Sequence, residues 1–246
     1  FLINRYTPNV LSQSDNGNLY GYSYIKIRGL DQTRINFTLN GIPLNEMEDQ
    51  GIYFSNMPGF MNNIEQIQIQ RGIGISKYGT TSFAGSVNLQ PKSLLKNELT
   101  LGLSGGSYGT LAGNMGYSSG LIKNKFAFSS NLSYLNSNGF RDHSGTDGFT
   151  YFGQFGYFGK KNIIKVYKFS GLSRNDMAWL APSDSLLDLN IKVNLNSELE
   201  KDQFNQNFVA INWINYSLKN IKFNSSMYFN NVNGKYTSYL DPVVLG

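Results

Sequence analysis

From Glu98 onward the sequence is a succession of roughly ten-residue segments in which apolar and polar side chains alternate, and no other feature narrows the possible folds so far. Leu99, Leu101 and Leu103 share a face opposite Thr100, Gly102 and Ser104. Phe126, Phe128, Leu132 and Tyr134 oppose Ala127, Ser129, Asn131 and Ser133, and Ile221, Phe223, Met227 and Phe229 oppose Lys222, Asn224, Ser226 and Asn230. Segments near 110–120, 149–159, 163–174 and 204–218 alternate less cleanly, which leaves their faces open. About seven strands are predicted, each with one apolar and one polar face.

The links between these segments add a second constraint. Those at 121–125, 159–162 and 218–220 are short, whereas 137–148 and 175–203 are long, so short and long alternate from the second strand onward. An up-and-down barrel in an outer membrane has this asymmetry, with tight turns on the periplasmic side and long loops outside the cell. A soluble sandwich has no reason to gather its long loops at one end. No run of about 18 apolar residues occurs and the mean hydropathy is −0.31, which excludes a bundle of membrane-spanning helices and leaves a strand-built barrel open. Charged residues at 15% and aromatics at 14% also argue against a mainly helical protein.

Residues 1–90 have a different texture. Short β runs at Tyr24–Arg28 and Ile35–Leu39 lead to Asn40-Gly41, a dipeptide suited to a type I′ hairpin because both central residues need positive φ. A third run, Ile64–Gln70, alternates Ile with Gln, and the stretch 55–63 has room for one or two helical turns. A small mixed α/β domain over 1–92 is expected to precede barrel strands over 97–246. The chain opens at Phe1 with no secretion signal, so it reads as an internal piece of a longer protein.

Candidate chemistry is sparse. The 21 basic and 16 acidic residues are scattered, without the clustered stripe that nucleic acid requires, and no nucleic-acid partner is expected. Cysteine is absent, which removes thiolate metal sites and disulfides. His143, the sole histidine, stands beside Asp142 and Ser144 in a polar link, where adjacent residues do not converge as a triad must. Arg71-Gly72-Ile73-Gly74 contains G-x-G, but Lys77 occupies the third glycine position of a dinucleotide fingerprint and no βαβ unit surrounds it. Neither an enzyme nor a cofactor is indicated.

The order of short motifs in the first region is more specific. Ile27-Arg28-Gly29 is followed by Leu39-Asn40-Gly41-Ile42-Pro43-Leu44-Asn45, Ile64-Glu65-Gln66-Ile67, Gln70-Arg71-Gly72, Lys77-Tyr78-Gly79 and Ala84-Gly85-Ser86-Val87-Asn88-Leu89. This succession, over about 20–92, resembles the plug domain of TonB-dependent outer-membrane receptors, and the alternating strands that follow look like the start of that family's barrel.

The resemblance implies active uptake of a scarce, bulky nutrient, most often a ferric siderophore, across the outer membrane of a Gram-negative bacterium. Energy would come from a TonB-type periplasmic transducer acting through a segment upstream of Phe1, and the barrel would face outer-membrane lipid. Ligand contacts are expected from Gln32, Thr33, Arg34, Tyr53, Phe54, Tyr78 and, in the longest loop, Trp179. Arg28 and Arg71 are expected to hold the plug to acidic groups on the barrel wall, in strands beyond this chain. Plugged transporters have 22 strands, so about fifteen would be missing. The competing reading is a soluble or surface-exposed β-rich module of the glycan-binding or adhesin type, which would fold in water with both sheet faces satisfied.

Overall fold

A computed structural model describes residues 7–17, 20–72, 83–218 and 220–239. Thirteen strands fall into three sheets among these residues. β1 (Val10–Ser14) and β2 (Ser23–Ile27) form an antiparallel ribbon. β3 (Ile35–Leu39), β4 (Ile42–Pro43), β5 (Ile64–Arg71) and β6 (Gly85–Pro91) form a sheet of order β4-β3-β6-β5, in which only the β3–β6 pair is parallel. The helical turns of this region are short 3-10 pieces at Gln32–Arg34, Phe54–Asn56 and Phe60–Asn63. Asn40 and Gly41 carry φ of 50° and 83°, so the hairpin expected from that dipeptide forms between β3 and β4.

β3 is buried along its whole length, and its polar members are paired. Thr38 Oγ1 donates to Asn88 Oδ1 on β6 at 2.9 Å, and Asn88 Nδ2 donates to Gln68 Oε1 on β5 at 3.1 Å. Asn45 closes the hairpin's return: its Oδ1 accepts from Phe37 N at 2.7 Å and its Nδ2 donates to the carbonyls of Ile35 and Gln50. A buried β strand with every polar group answered in this way fixes register.

The second region is one antiparallel sheet in chain order: β7 (Asn97–Gly106), β8 (Thr110–Ser119), β9 (Phe126–Ser137), β10 (Thr146–Phe158), β11 (Asn162–Asp176), β12 (Lys201–Asn215) and β13 (Phe223–Thr237). One end of the sheet carries the links 107–109, 138–145 and 177–200, the last holding the short helix α1 (Asp184–Leu189); the other end carries the tight links 120–125, 159–161 and 216–222. The first is called the loop end and the second the turn end.

One face of this sheet is an apolar band open to its surroundings: Leu101, Leu103, Met115, Phe128, Leu132, Phe155, Ile211, Met227 and Phe229 all point outward, Leu103 with 81% of its surface exposed. The band does not follow the strand register. The row of hydrogen-bonded partners that starts at Leu101 runs through Met115, Leu132, Tyr151, Ser170 and Asn207 to Asn231, turning from apolar to polar. On β13 the band lies lower, at Phe223, Met227 and Phe229. It therefore slips by about five residues over six strand spacings, ~17 Å along the strands against ~29 Å across them, the offset of strands tilted roughly 30° to a level band.

The opposite face of the sheet is covered by the first region. Ile35, Phe37, Leu39, Ile42, Ile52, Met57, Phe60, Val87 and Leu89 join Phe152, Tyr167, Phe169 and Phe208 of the wall in one continuous hydrophobic cluster. The small domain is thus seated inside the curve of the large sheet as a plug against a wall.

Candidate functional site

Phe60 is the point where plug and wall interlock. Its ring meets Phe152 and Phe169 edge-on at centroid distances of 5.6 and 5.1 Å, and Phe169 stacks on Phe208 at 5.0 Å. Polar contacts surround this aromatic key. Asn40 Nδ2 donates to Tyr167 Oη at 2.8 Å, Gln154 Nε2 donates to the Lys92 carbonyl at 3.3 Å, and near the loop end Asn16 Nδ2 donates to the Ser144 carbonyl at 2.6 Å while Asn16 O accepts from Phe140 N. Tyr22 Oη donates to Asp202 Oδ2, and Asp202 Oδ1 in turn accepts from Asn175 Nδ2 at 2.9 Å, so a relay crosses from plug to β12 and on to β11.

Three tyrosine–carboxylate pairs gather at the plug surface nearest the loop end: Tyr22 with Asp202, Tyr24 with Asp15, and Tyr53 with Asp49. The rings of Tyr22 and Tyr53 meet edge-on at 6.2 Å. Burial raises the pKa of all three phenols well above the ordinary value, and the adjoining carboxylates push in the same direction, so these side chains are neutral donors. Glu46 is pushed up to about 7, first by burial and then by repulsion from Asp49 and Glu48.

The expected ligand residues fall into distinct settings. Thr33 and Arg34 lie on the 3-10 turn capped by Asp31, whose Oδ1 accepts from Thr33 N at 3.0 Å, and Arg34 is exposed. Gln32 is buried and hydrogen-bonds the Tyr53 side chain, which places Gln32 and Tyr53 together. Phe54 packs into the plug core, its ring edge-on to Phe37 at 5.9 Å, and so serves packing. Trp179 stands 54% exposed in the longest loop. Tyr78, with the motif around it, lies outside the described residues.

Arg28 and Arg71 are exposed at the opposite end of the β1–β2 ribbon. Arg71 Nη1 donates to the Pro8 carbonyl at 3.2 Å, the Arg28 guanidinium lies beside Gly72, and neither pairs with a carboxylate among the described residues. The plug–wall contacts the structure does show, through Tyr22, Asn40, Asn16 and Phe60, join residues 92 to 180 positions apart. No local pattern in the sequence announces such pairs.

The long links form one body at the loop end. Arg141 donates to the carbonyls of Val193, Ala178 and Leu180, and Asn194 Nδ2 reaches the carbonyls of Asp142 and Met177 and lies 3.2 Å from His143 Nδ1. His143 is thereby part of a loop clasp, and among the described residues no group of acidic, His or Cys side chains is arranged to hold a metal ion.

A small domain seated on the inner face of an up-and-down sheet with a tilted apolar outer band is the architecture of a plug against part of a barrel wall. Residues 2–86 match the family model of the TonB-dependent Receptor Plug Domain, and the chain as a whole is similar in fold to solved receptors of that plug-and-barrel architecture. Similar solved structures include the ferric yersiniabactin uptake receptor FyuA from Yersinia pestis (12% identity, 97% of this chain and 39% of that one, TM-score 0.75). The ferric preacinetobactin receptor BauA from Acinetobacter baumannii is similar over 94% of this chain and 34% of its own (14% identity, TM-score 0.74). The ferric-catecholate import receptor Fiu from E. coli K12, in its open form, is similar over 87% and 34% (16% identity, TM-score 0.68). The chain spans between a third and two fifths of the length of these receptors. No curated protein sequence matches it.

Proposed function

We propose that the receptor to which this chain belongs imports a scarce, bulky nutrient, a ferric siderophore, across the bacterial outer membrane, with the plug displaced by a TonB-type transducer in the periplasm. The observation that carries this reading is the plug itself, seated against the inner face of the sheet by an apolar cluster centred on Phe60 and by a few hydrogen bonds. The outer band, with Leu101, Leu103 and Met227 each more than half exposed, suits contact with lipid and is a liability for a module dissolved in water. Loop-end residues Gln32, Thr33, Arg34, Tyr53 and Trp179 are proposed to meet the ligand, and Arg28 and Arg71 to meet acidic groups in the remainder of the barrel. Cells carrying the full-length receptor should accumulate radioactive iron from a ferric siderophore, and lose that uptake when the transducer is deleted. Binding without transducer-dependent uptake would overturn the proposal.

A further inference from the structure

The two ends of the large sheet carry opposite charge. At the turn end the links 120–125, 159–161 and 216–222 contain lysine and no acidic residue, whereas the longest link of the loop end, 177–200, contains Asp184, Asp188, Glu198 and Glu200 against Lys192 alone. Cations of the outward face near the loop end also have acidic neighbours: Lys201 Nζ lies 3.2 Å from Asp176 Oδ1, and Arg174 stands opposite Asp147 in the register. Lys123, Lys125, Lys160, Lys161 and Lys222 at the turn end are exposed and make no ion pair among the described residues.

The backbone keeps these lysines at the tips. Ile122 and Phe126 exchange backbone bonds of 2.6 and 3.0 Å around 123–125, and Gly159 N donates to the Asn162 carbonyl at 2.8 Å around Lys160-Lys161. Successive tight turns lie two strand spacings apart, ~10 Å, so the tips form one row of charge. Just inside that row, on the outward face, Phe126, Tyr157, Ile164 and Trp213 are register partners at the margin of the apolar band. Trp213 Nε1 donates to Asn162 Oδ1 at 3.0 Å, and the Trp213 ring meets Phe223 edge-on at 5.4 Å. Exposed apolar side chains also stand among the lysines, Leu121 and Ile122 in one turn and Leu218 and Ile221 in another, where Lys222 Nζ lies 5.9 Å from the Tyr216 ring centroid.

Aromatic rings with a polar edge settle at the boundary between hydrocarbon and headgroups, and a lysine beyond them carries its ammonium on an apolar stem into the headgroup layer. A turn that served only to meet water would have no use for exposed leucine and isoleucine. A row of cations without counter-charges at this depth matches anionic headgroups. We propose that the turn end is a binding surface for anionic phospholipid, the lysines of its three tight turns holding headgroup phosphates while Ile122 and Ile221 lie against the first carbons of the acyl chains. The surface rests on the reading, given above, that the outward band meets lipid.

A bimane fluorophore on Ser217→Cys of the full-length receptor, reconstituted in phosphatidylcholine vesicles, reports the lipid beside the turns. Quenching by phosphatidylglycerol with brominated chains should exceed quenching by phosphatidylcholine with the same chains, by a local enrichment of about fivefold. The enrichment should shrink as salt is raised. Replacing Lys123, Lys125, Lys160, Lys161 and Lys222 together with Gln should remove it, replacing them with Arg should keep it, and Lys192→Gln at the loop end should leave it unchanged. Should the combined Gln variant fail to assemble, Lys160→Gln with Lys161→Gln should lower the enrichment by about twofold on the same grounds. Equal quenching by the two lipids would overturn the surface and leave the lipid-facing band standing, whereas quenching by neither would overturn both. Sedimentation of the wild type, but not of the Gln variant, with purified peptidoglycan in the absence of a lipid preference would assign the lysines to the cell wall and overturn the proposal.

Discussion

Asp202 accepts from both parts of the molecule, from Tyr22 of the plug and Asn175 of the wall. Removing the phenol hydroxyl with Tyr22→Phe deletes a charge-assisted bond and leaves Asp202 half-answered, which costs about 1–3 kcal/mol. The urea midpoint for plug release in the full-length receptor should fall, while the heat-modifiable migration of the barrel stays as it was; an unmoved midpoint would show that the relay is not a tether. Glu46 makes a prediction of opposite sign to the usual carboxylate. Its pKa rises from 4.5 unfolded to about 7 folded, so the folded plug keeps a proton that the unfolded chain releases between those values. Stability therefore declines as pH rises through that window. Glu46→Gln should steady the plug at pH 8 by about 1 kcal/mol, a figure discounted for the solvent that still reaches this side chain. Urea midpoints at pH 5 and pH 8 check it: the wild type should lose stability at the higher pH and the variant should not. Equal losses would place the pH sensitivity elsewhere.

Among the elements, what the sequence revealed depended on what each strand faces. β7 and β9 alternate cleanly because their inward residues are mostly polar or small, as Thr100, Gly102, Ser129, Asn131 and Ser133 show. β10, β11 and β12 were illegible for a definite reason: their inward positions include Phe152, Tyr167, Phe169 and Phe208, which pack on the plug, so apolar residues occupy both faces. The pattern reports burial, and here burial has two sources, lipid-type exposure outside and plug contact inside. The alternation of short and long links survived intact, but not the detail within them. Ser144 lies in a long link yet is fully buried behind the Arg141 clasp, whereas Ser185 on α1 and Asn124 in a tight turn are exposed. A cysteine at Ser185 of the full-length receptor should react with an impermeant thiol reagent on intact cells and one at Asn124 should not. Reaction at Asn124 alone would invert the topology.

At the scale of the whole molecule the seven strands form an open sheet, and among the described residues β7 and β13 each present an unpaired edge. Backbone groups at such edges find no partners in hydrocarbon, so the 246-residue chain by itself should not insert as a barrel, and its migration in detergent gels should not depend on heating. The full-length receptor should show that dependence. The candidate ligand surface was less legible than the fold. The plug motifs located Gln32 and Tyr53, which the structure joins, but the tyrosine–carboxylate pairs arise from contacts across the β1–β2 ribbon and the wall that no short motif encodes.

The central claim is that the apolar face of the sheet meets lipid while the other face holds the plug. Nitroxide labels placed one at a time at Leu101, Phe128 and Met227 of the full-length receptor in bilayers measure this directly, through their collisions with dissolved oxygen and with a water-soluble nickel chelate. All three should collide freely with oxygen and be shielded from the chelate, and labels at the inward Gly102 and Ser129 should be shielded from oxygen. Free collision with the chelate at Leu101, Phe128 and Met227 would mean that this face is bathed in water and would contradict the account.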